Sequence, residues 1–194
     1  MRNACVERTL DIVCGGWDFG RFYEEVIFYI TTMLLYHGTN TCFETPKIIT
    51  PNRALDFGTG FYTTSDKKQA GDWAKIVVKR AKTGKALLNI YELKESYTQE
   101  LNVRKFETAN KEWLDFICEH RLETYKGDNY DLIIGAVAND QTMPVLQAYM
   151  NAKNKDLYAP VALNDIQANK LTNQYVFKND LALSFLLLQE IVEL

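Results

Sequence analysis

The sequence predicts an α+β domain with a mostly antiparallel sheet. Predicted strands and helices are interspersed along the chain, with no regular β-α-β period and no internal repeat. The 194 residues are enough for one domain with a core of its own. Apolar residues make up 47% of the chain and charged residues 24%, which is the balance of a globular protein and excludes disorder for most of its length.

The domain is predicted to begin at Met33, which divides the chain into residues 1–32 and 33–194. Aromatic and apolar residues at close to helical spacing predict an amphipathic helix over 18–31 in the first part. This N-terminal arm is interpreted as a packing arm, a partner-binding helix or an artefact of the chosen translation start.

Each element of the domain follows from a local pattern. Short apolar runs predict strands, a spacing of about 3.6 residues predicts helices, and the prolines at 46 and 51 predict a polar loop over 40–56. In order, the predicted elements are strand 33–37, strand 60–64, helix 67–82, strand 86–93, helix 109–122, strand 130–138, a helix from 139 to about 151, a weak helix 160–170, strand 173–178 and an apolar helix 181–193.

Two of the helices also have predicted caps and inward faces. Asp66 is the predicted N-cap of helix 67–82, and Gln69 follows as in a capping box. Thr108 is the predicted cap of helix 109–122. The predicted inward residues are Ala70, Trp73, Ala74 and Val77 on the first helix and Trp113, Phe116 and Ile117 on the second.

Composition excludes several classes of function. A net charge of −3 gives no overall attraction to a phosphate backbone, so nucleic-acid binding would need a local patch. The four cysteines form no CxxC pair and there are only two histidines, so no metal site is predicted. Unpaired cysteines favour a reducing cytoplasm. The longest apolar run, residues 26–36, is about half of what a bilayer requires, so no membrane association is predicted.

Two glycine-containing motifs are the strongest signal of function. Residues 36–39 (YHGT) offer an imidazole, a hydroxyl and a backbone that glycine opens to a ligand. Residues 58–63 (GTGFYT) lead a flexible turn into a strand, and Trp73 stands eleven residues after Tyr62. Two such rings on adjacent elements can hold a flat heterocycle. Taken one at a time, the histidine could simply end a strand, Trp73 could belong to the core, and the glycines could form a tight turn. The joint order of these residues instead favours a ligand site.

The series YHGT, FGTGFYTT and a helix carrying an aromatic residue resembles the NAD-dependent ADP-ribosyltransferases, in the branch of diphtheria toxin and the poly-ADP-ribose polymerases. It is most similar to a bacterial group catalogued as domain-of-unknown-function family 3990. The resemblance covers about residues 33–190. It implies an ADP-ribosyltransferase-like fold of split antiparallel sheets with flanking helices, and NAD as the co-substrate.

The resemblance implies a role for each matching residue. His37 would bond the adenosine ribose of NAD, and the Gly38 backbone would bind the nicotinamide carboxamide. Tyr62 and Trp73 would sandwich the nicotinamide ring, and Gln174 occupies the position of the family's catalytic glutamate. The implied NAD-binding set is completed by their motif neighbours Tyr36, Thr39, Gly60, Phe61 and Thr63.

Glutamine at position 174 changes the expected chemistry. Cleavage of the glycosidic bond passes through an oxocarbenium-like state that a carboxylate stabilises, and glutamine keeps the hydrogen bonds without the charge. Chain elongation is therefore not expected, whereas single transfer and loss of activity both stay open. Asp140, which follows the strongest predicted strand, is either a second catalytic acid or the N-cap of the next helix.

These expectations combine into a mono-ADP-ribosyltransferase that moves ADP-ribose from NAD to a macromolecular acceptor. Protein, RNA, DNA and small molecules all stay open as acceptors. The alternative is a non-catalytic module that binds NAD, ADP-ribose or a partner. The resemblance to bacterial transferase toxins also implies a toxin that a small antitoxin-like protein neutralises, with the arm at 18–31 as its docking surface.

Overall fold

The computed structural model describes residues 33–51, 53–138, 142–167 and 171–194. The predicted helix at 18–31 and the predicted acid Asp140 lie outside the described residues. In chain order, the elements are β1 Met33–Thr39, β2 Phe61–Thr63, α1 Lys67–Ala81, β3 Leu87–Leu93, α2 Tyr97–Glu100, β4 Val103–Lys105, α3 Lys111–Arg121, β5 Leu132–Ala136, α4 Met143–Asn151, α5 Lys155–Gln167, β6 Asn173–Phe177, α6 Asp180–Leu183 and β7 Leu186–Glu193.

The strands form two sheets, and together with the helices they confirm the α+β class. One sheet has the order β1-β3-β7 and the other has the order β2-β6-β5-β4. The pairings are antiparallel except that of β4 with β5. The sheets meet at an antiparallel bridge, in which the backbone N–H groups of Tyr36 and Thr64 each donate to the other residue's carbonyl. β1 therefore lies beside the end of β2 although the two strands belong to different sheets.

The core is layered around these sheets. Leu35 and Phe177 belong to an apolar cluster between the two sheets. The other face of the β2-β6-β5-β4 sheet is covered by α3, α4 and α5, and Trp113 and Val176 are fully buried there. Ala70 of α1 packs on the outer face of the β1-β3-β7 sheet. Each sheet is therefore covered by helices on one face and by the other sheet on the opposite face.

The C-terminal segment differs from the prediction. The sequence predicts a helix over 181–193, but the structure has the short α6 followed by β7. β7 pairs with β3 from Leu186 opposite Leu93 to Glu193 opposite Leu87, with one shift of register between Ile90 and Tyr91. Periodicity cannot decide between helix and strand in a short apolar run, and β3 needs a partner for its backbone groups on this side. Pairing with β3 therefore determines the conformation.

Short elements and caps account for the other differences. α2 and β4 are missed by the sequence pattern because they are four and three residues long. Asp66 caps α1 as predicted, accepting from the Gln69 N–H at 3.0 Å. The side chain of Gln69 bonds the Thr64 hydroxyl, at 2.9 Å, instead of closing a capping box. The cap of α3 is Asn110 rather than the predicted Thr108.

The helices before β6 begin later or earlier than predicted. α4 begins at Met143 instead of 139, and α5 begins at Lys155 instead of 160.

Within the described ranges, no helix is long and apolar enough to cross a membrane.

Candidate ligand site at the bridge between the sheets

His37 is held in one orientation beside the bridge. Its Nδ1 donates to the Tyr62 carbonyl at 2.7 Å, and its ring stacks on Phe61 with 4.4 Å between centroids. Burial lowers the pKa of His37, and the hydrogen bond to the Tyr62 carbonyl opposes that shift. Because a carbonyl only accepts, Nδ1 carries the hydrogen, and the neutral ring keeps an acceptor at Nε2.

Asn89 lies opposite His37 on β3 and is a neighbour that the sequence does not reveal. Its side chain is fully buried, and its Nδ2 donates to the Phe43 carbonyl at 3.1 Å. Among the described residues, its Oδ1 has no hydrogen-bond partner. The Phe43 ring in turn meets the edge of the His37 ring at 5.7 Å. Asn89 therefore anchors the start of the 40–56 loop against the histidine.

The outer edge of β1 presents backbone groups at Gly38. Tyr36 turns its N–H and carbonyl away from β3 and bonds Thr64 with both. In an antiparallel pair these directions alternate, so the N–H and carbonyl of Gly38, two residues on, face the same edge. Among the described residues, no backbone partner meets them there. Gly38 therefore offers a donor and an acceptor next to His37.

Replacing Gly38 with alanine should push α1 away from β1. A Cβ there would lie 2.0 Å from the Ala70 carbonyl oxygen and 3.0 Å from the Ala74 nitrogen, and backbone atoms cannot change rotamer. We expect the free energy of unfolding to fall by about 1–3 kcal/mol, measured by chemical denaturation. Gly71→Ala in α1 is the control, because its Cβ would contact only a Leu194 methyl at 3.3 Å. Equal stability of the two variants would contradict this close packing.

The Tyr62 hydroxyl closes the turn that precedes β2. It donates to the Gly58 carbonyl at 2.7 Å and accepts from the Phe57 N–H at 3.1 Å. Gly58 has a φ of 69°, which glycine adopts without strain. Burial raises the pKa of Tyr62. The phenol is therefore part of the structure of the turn, and its ring packs against the cluster under α3–α5.

Trp73 lies on the exposed side of α1, so the prediction that it faces inward is wrong. Its side chain is 40% exposed, whereas Ala70 and Ala74 face β1. The close approach of α1 to Gly38 leaves room there only for small side chains. Trp73 follows Gln69 by one helical turn and therefore lies on the side of α1 that bonds Thr64. Within the described residues, the rings of Trp73 and Tyr62 are not in contact.

Gln174 is buried, and its amide is held in one orientation. The residue is 5% exposed, and Nε2 donates to the Ala136 carbonyl at 3.1 Å. The same side chain lies beside the Asp56 carboxylate and lowers its pKa. Because both neighbours are acceptors, the amide nitrogen faces them and Oε1 faces away. The surroundings of Gln174 therefore suit an amide rather than a carboxylate.

Asp56 and Arg121 form a buried ion pair beside Gln174. Their side chains are 8% and 19% exposed, and Asp56 Oδ1 accepts from Arg121 Nε at 2.7 Å and from Nη2. Oδ2 accepts from the Ala138 N–H at 3.2 Å. Burial raises the pKa of Asp56, and Arg121 opposes that shift. Asp56 directly precedes the FGTGFY motif, but its partner is 65 residues away, and no local pattern identifies it.

Comparison with known proteins identifies the family of this chain. A family model described as "Protein of unknown function (DUF3990)" matches residues 33–188. The chain belongs to the DUF3990 family. The match begins at Met33, the residue where β1 starts. No curated protein and no solved structure matches the chain.

Several predicted binding residues are buried in this DUF3990 chain. Phe61, Thr63 and Thr39 are under 9% exposed, with Phe61 beneath His37. Gly60 allows β2 to approach β6, since a Cβ there would lie 2.5 Å from a Val176 methyl. The Tyr36 side chain packs toward α1. Among the described residues, no group of three or more His, Cys, Asp or Glu could hold a metal ion.

The structure divides the predicted site residues into two groups. His37 and the Gly38 edge meet at the bridge, and Trp73 lies on the adjoining side of α1. Tyr62 and Gln174 share the opposite face of the second sheet, because β2 turns Phe61 and Tyr62 to opposite sides. The backbone of β2 connects the groups through the bond from His37 to the Tyr62 carbonyl.

Proposed function

We propose that this DUF3990 protein cleaves NAD and transfers a single ADP-ribose to a macromolecular acceptor. The observation that carries the proposal is the Gly38 edge, whose N–H and carbonyl have no backbone partner among the described residues, beside a neutral His37. A carboxamide can donate an N–H to the Gly38 carbonyl and accept the Gly38 N–H through its oxygen, and a ribose hydroxyl can donate to His37 Nε2. NAD carries both groups. The resemblance of YHGT and FGTGFYTT to NAD-dependent transferases supports the same assignment.

Trp73 would cover the flat ring that Gly38 binds. Trp73 is 40% exposed on α1, the helix whose backbone packs against Gly38. The Arg80 guanidinium lies 5.4 Å from its ring centroid and fixes the indole from one side. The other face of the indole is the candidate surface for a cationic pyridinium ring. Stacking on it would contribute about 0.5–2 kcal/mol.

Gln174 would orient the substrate rather than supply charge. Its amide nitrogen is engaged by Ala136 and Asp56, so only its oxygen is available as an acceptor. Among the described residues, the acid beside it is Asp56, which is buried and paired with Arg121. NAD would supply the ADP-ribose group and release nicotinamide. Without a free carboxylate at this position, we expect slow, single transfer rather than chain elongation.

The full chain, incubated with adenylate-labelled NAD and a cell lysate, tests the proposal. We expect free nicotinamide and label on a macromolecular acceptor. Trp73→Ala should reduce NAD binding by about 2- to 30-fold, the equivalent of one ring contact, without changing the unfolding temperature. Intact NAD together with an unlabelled lysate would contradict the activity.

Ile76→Ala is the matched control for Trp73→Ala. Ile76 is 37% exposed on the same helix, so its truncation removes a similar exposed apolar group. Binding of NAD, measured by calorimetry, should be unchanged in this variant. Equal loss in both variants would contradict a specific contact with Trp73.

A non-catalytic NAD or ADP-ribose binding module is the second candidate. The observation in its favour is the Gln174 amide, which is built into the Asp56–Arg121 network where the resembling transferases have a glutamate. Calorimetry that shows bound but unconsumed NAD would favour this module over the transferase.

A further inference from the structure

A cavity lies behind the turn that carries Gly58. Its volume is about 290 Å³, and its lining includes His120, Tyr125, Asp128, Tyr130, Lys178 and Asn179. This volume is at the lower end of the range for small-molecule sites. The cavity is formed by the C-terminal end of α3, the segment after it and the residues that follow β6. It does not include the residues of the proposed NAD site.

Lys178 enters this cavity without an acidic partner. Its Nζ donates to the Phe57 carbonyl, and among the described residues no carboxylate lies within ion-pair distance. Asp131, whose backbone carbonyl accepts from the Lys178 N–H, accepts through its carboxylate from Asn179 and Asn102 instead. Burial lowers the pKa of Lys178 to about 8. About a tenth of these amines are therefore neutral at pH 7.

His120 stands beside Lys178 as a neutral base. Its Nδ1 donates to the Phe116 carbonyl at 2.9 Å, and its ring stacks on Tyr125 with 4.2 Å between centroids. Burial lowers the pKa of His120, and Lys178 lowers it further. The ring therefore keeps a lone pair at Nε2.

The His120 ring and the Lys178 amine both approach the backbone at Gly58, where a Cβ would lie 2.8 Å from His120 Cδ2. The position that a Cβ on Gly58 would occupy is 3.3 Å from Lys178 Nζ and 3.6 Å from His120 Nε2. Both nitrogens thus adjoin the same point at the edge of the cavity. An amine and a base placed in this way suit capture of a carbonyl compound.

We propose that this cavity is a binding site for a small aldehyde or ketone, which Lys178 captures as an imine with His120 as the base. The proposal stands independently of the NAD site. The ammonium gives a proton to His120 Nε2, and the free amine attacks the carbonyl carbon. The new N–C bond forms as the C=O π bond breaks, and a proton moves from nitrogen to oxygen to give a carbinolamine. The oxygen then leaves as water with the proton from His120, which leaves a protonated imine. Nothing is oxidised or reduced.

Reductive trapping on the full chain tests this site. The protein is treated with acetaldehyde and cyanoborohydride at pH 7, and ethylation of each lysine is followed by peptide mass spectrometry. Lys178 should react at least tenfold faster than Lys68, whose pKa the neighbouring Asp72 raises. Equal initial rates at Lys178 and Lys68 would overturn the proposal.

The role of His120 is tested by His120→Asn and by a pH profile. Asparagine can still donate to the Phe116 carbonyl but cannot accept the proton, so ethylation of Lys178 should slow several-fold while Lys68 is unchanged. If the variant fails to fold, the pH profile of lysine ethylation in the unaltered protein tests the site instead. The rate at Lys178 should level off above about pH 8, whereas the rate at Lys68 should keep rising. Parallel profiles at both lysines would contradict the site.

Discussion

Arg121→Met should lower the free energy of unfolding by about 3–5 kcal/mol. Methionine fills a similar volume but leaves the buried Asp56 carboxylate without its cation. The Ala138 N–H and the Gln174 amide would be its remaining hydrogen-bond donors among the described residues. Burial already raises the pKa of Asp56, so protonation in acid should relieve part of the loss. Denaturation across a pH series measures both effects.

Lys85→Met is the matched control for the buried pair. Lys85 pairs with Glu193 at 2.8 Å, but their side chains are 69% and 57% exposed, so we expect a change below about 1 kcal/mol. The combination of Arg121→Met with Asp56→Asn removes both charges and should be more stable than Arg121→Met alone. A similar small change in Arg121→Met and Lys85→Met would show that the buried pair does not stabilise the fold.

Gln174→Glu should destabilise the protein by about 3 kcal/mol. The new carboxylate would face the Ala136 carbonyl and the Asp56 carboxylate, which are both acceptors. Its pKa would rise, and the loss should be greatest at neutral and high pH, where both carboxyl groups are ionised. Gln147→Glu makes the same chemical change at an exposed position on α4 and should have little effect on stability.

Combining Gln174→Glu with Asp56→Asn should recover more than half of that loss. Positions 56 and 174 then again hold one amide and one carboxylate, and Arg121 is still nearby. If the proposed transferase is correct, this double variant should also cleave NAD faster than the unaltered protein, because a charge now stands at position 174. Strict additivity of the two single losses would show that Asp56 and Gln174 are not coupled.

Local patterns predict the elements around the candidate site well. β1, β2 and α1 lie within two residues of their predicted bounds, because an apolar run, a glycine turn and the Asp66 cap each act over a few residues. His37 and Gly38 lie side by side because they are neighbours in one local motif. The α+β class also follows from the order of these local elements.

Long-range pairing accounts for what the sequence does not show. The Asp56–Arg121 pair joins a loop to the end of α3, and neither side chain has a local signature. The exposure of Trp73 depends on how closely α1 approaches Gly38, which is a tertiary contact. β7 is a strand because β3 is available to pair with it.

The three-residue strand β2 supports both groups of site residues, one on each side. Phe61 stacks on the His37 ring, and the neighbouring Tyr62 points toward the layer that holds Gln174. A shift of one residue in the register of β2 would exchange these sides. The Phe61 ring would then leave the imidazole, and the Tyr62 phenol would leave the turn. The spacing between Asp56 and Phe61 therefore tolerates neither insertion nor deletion.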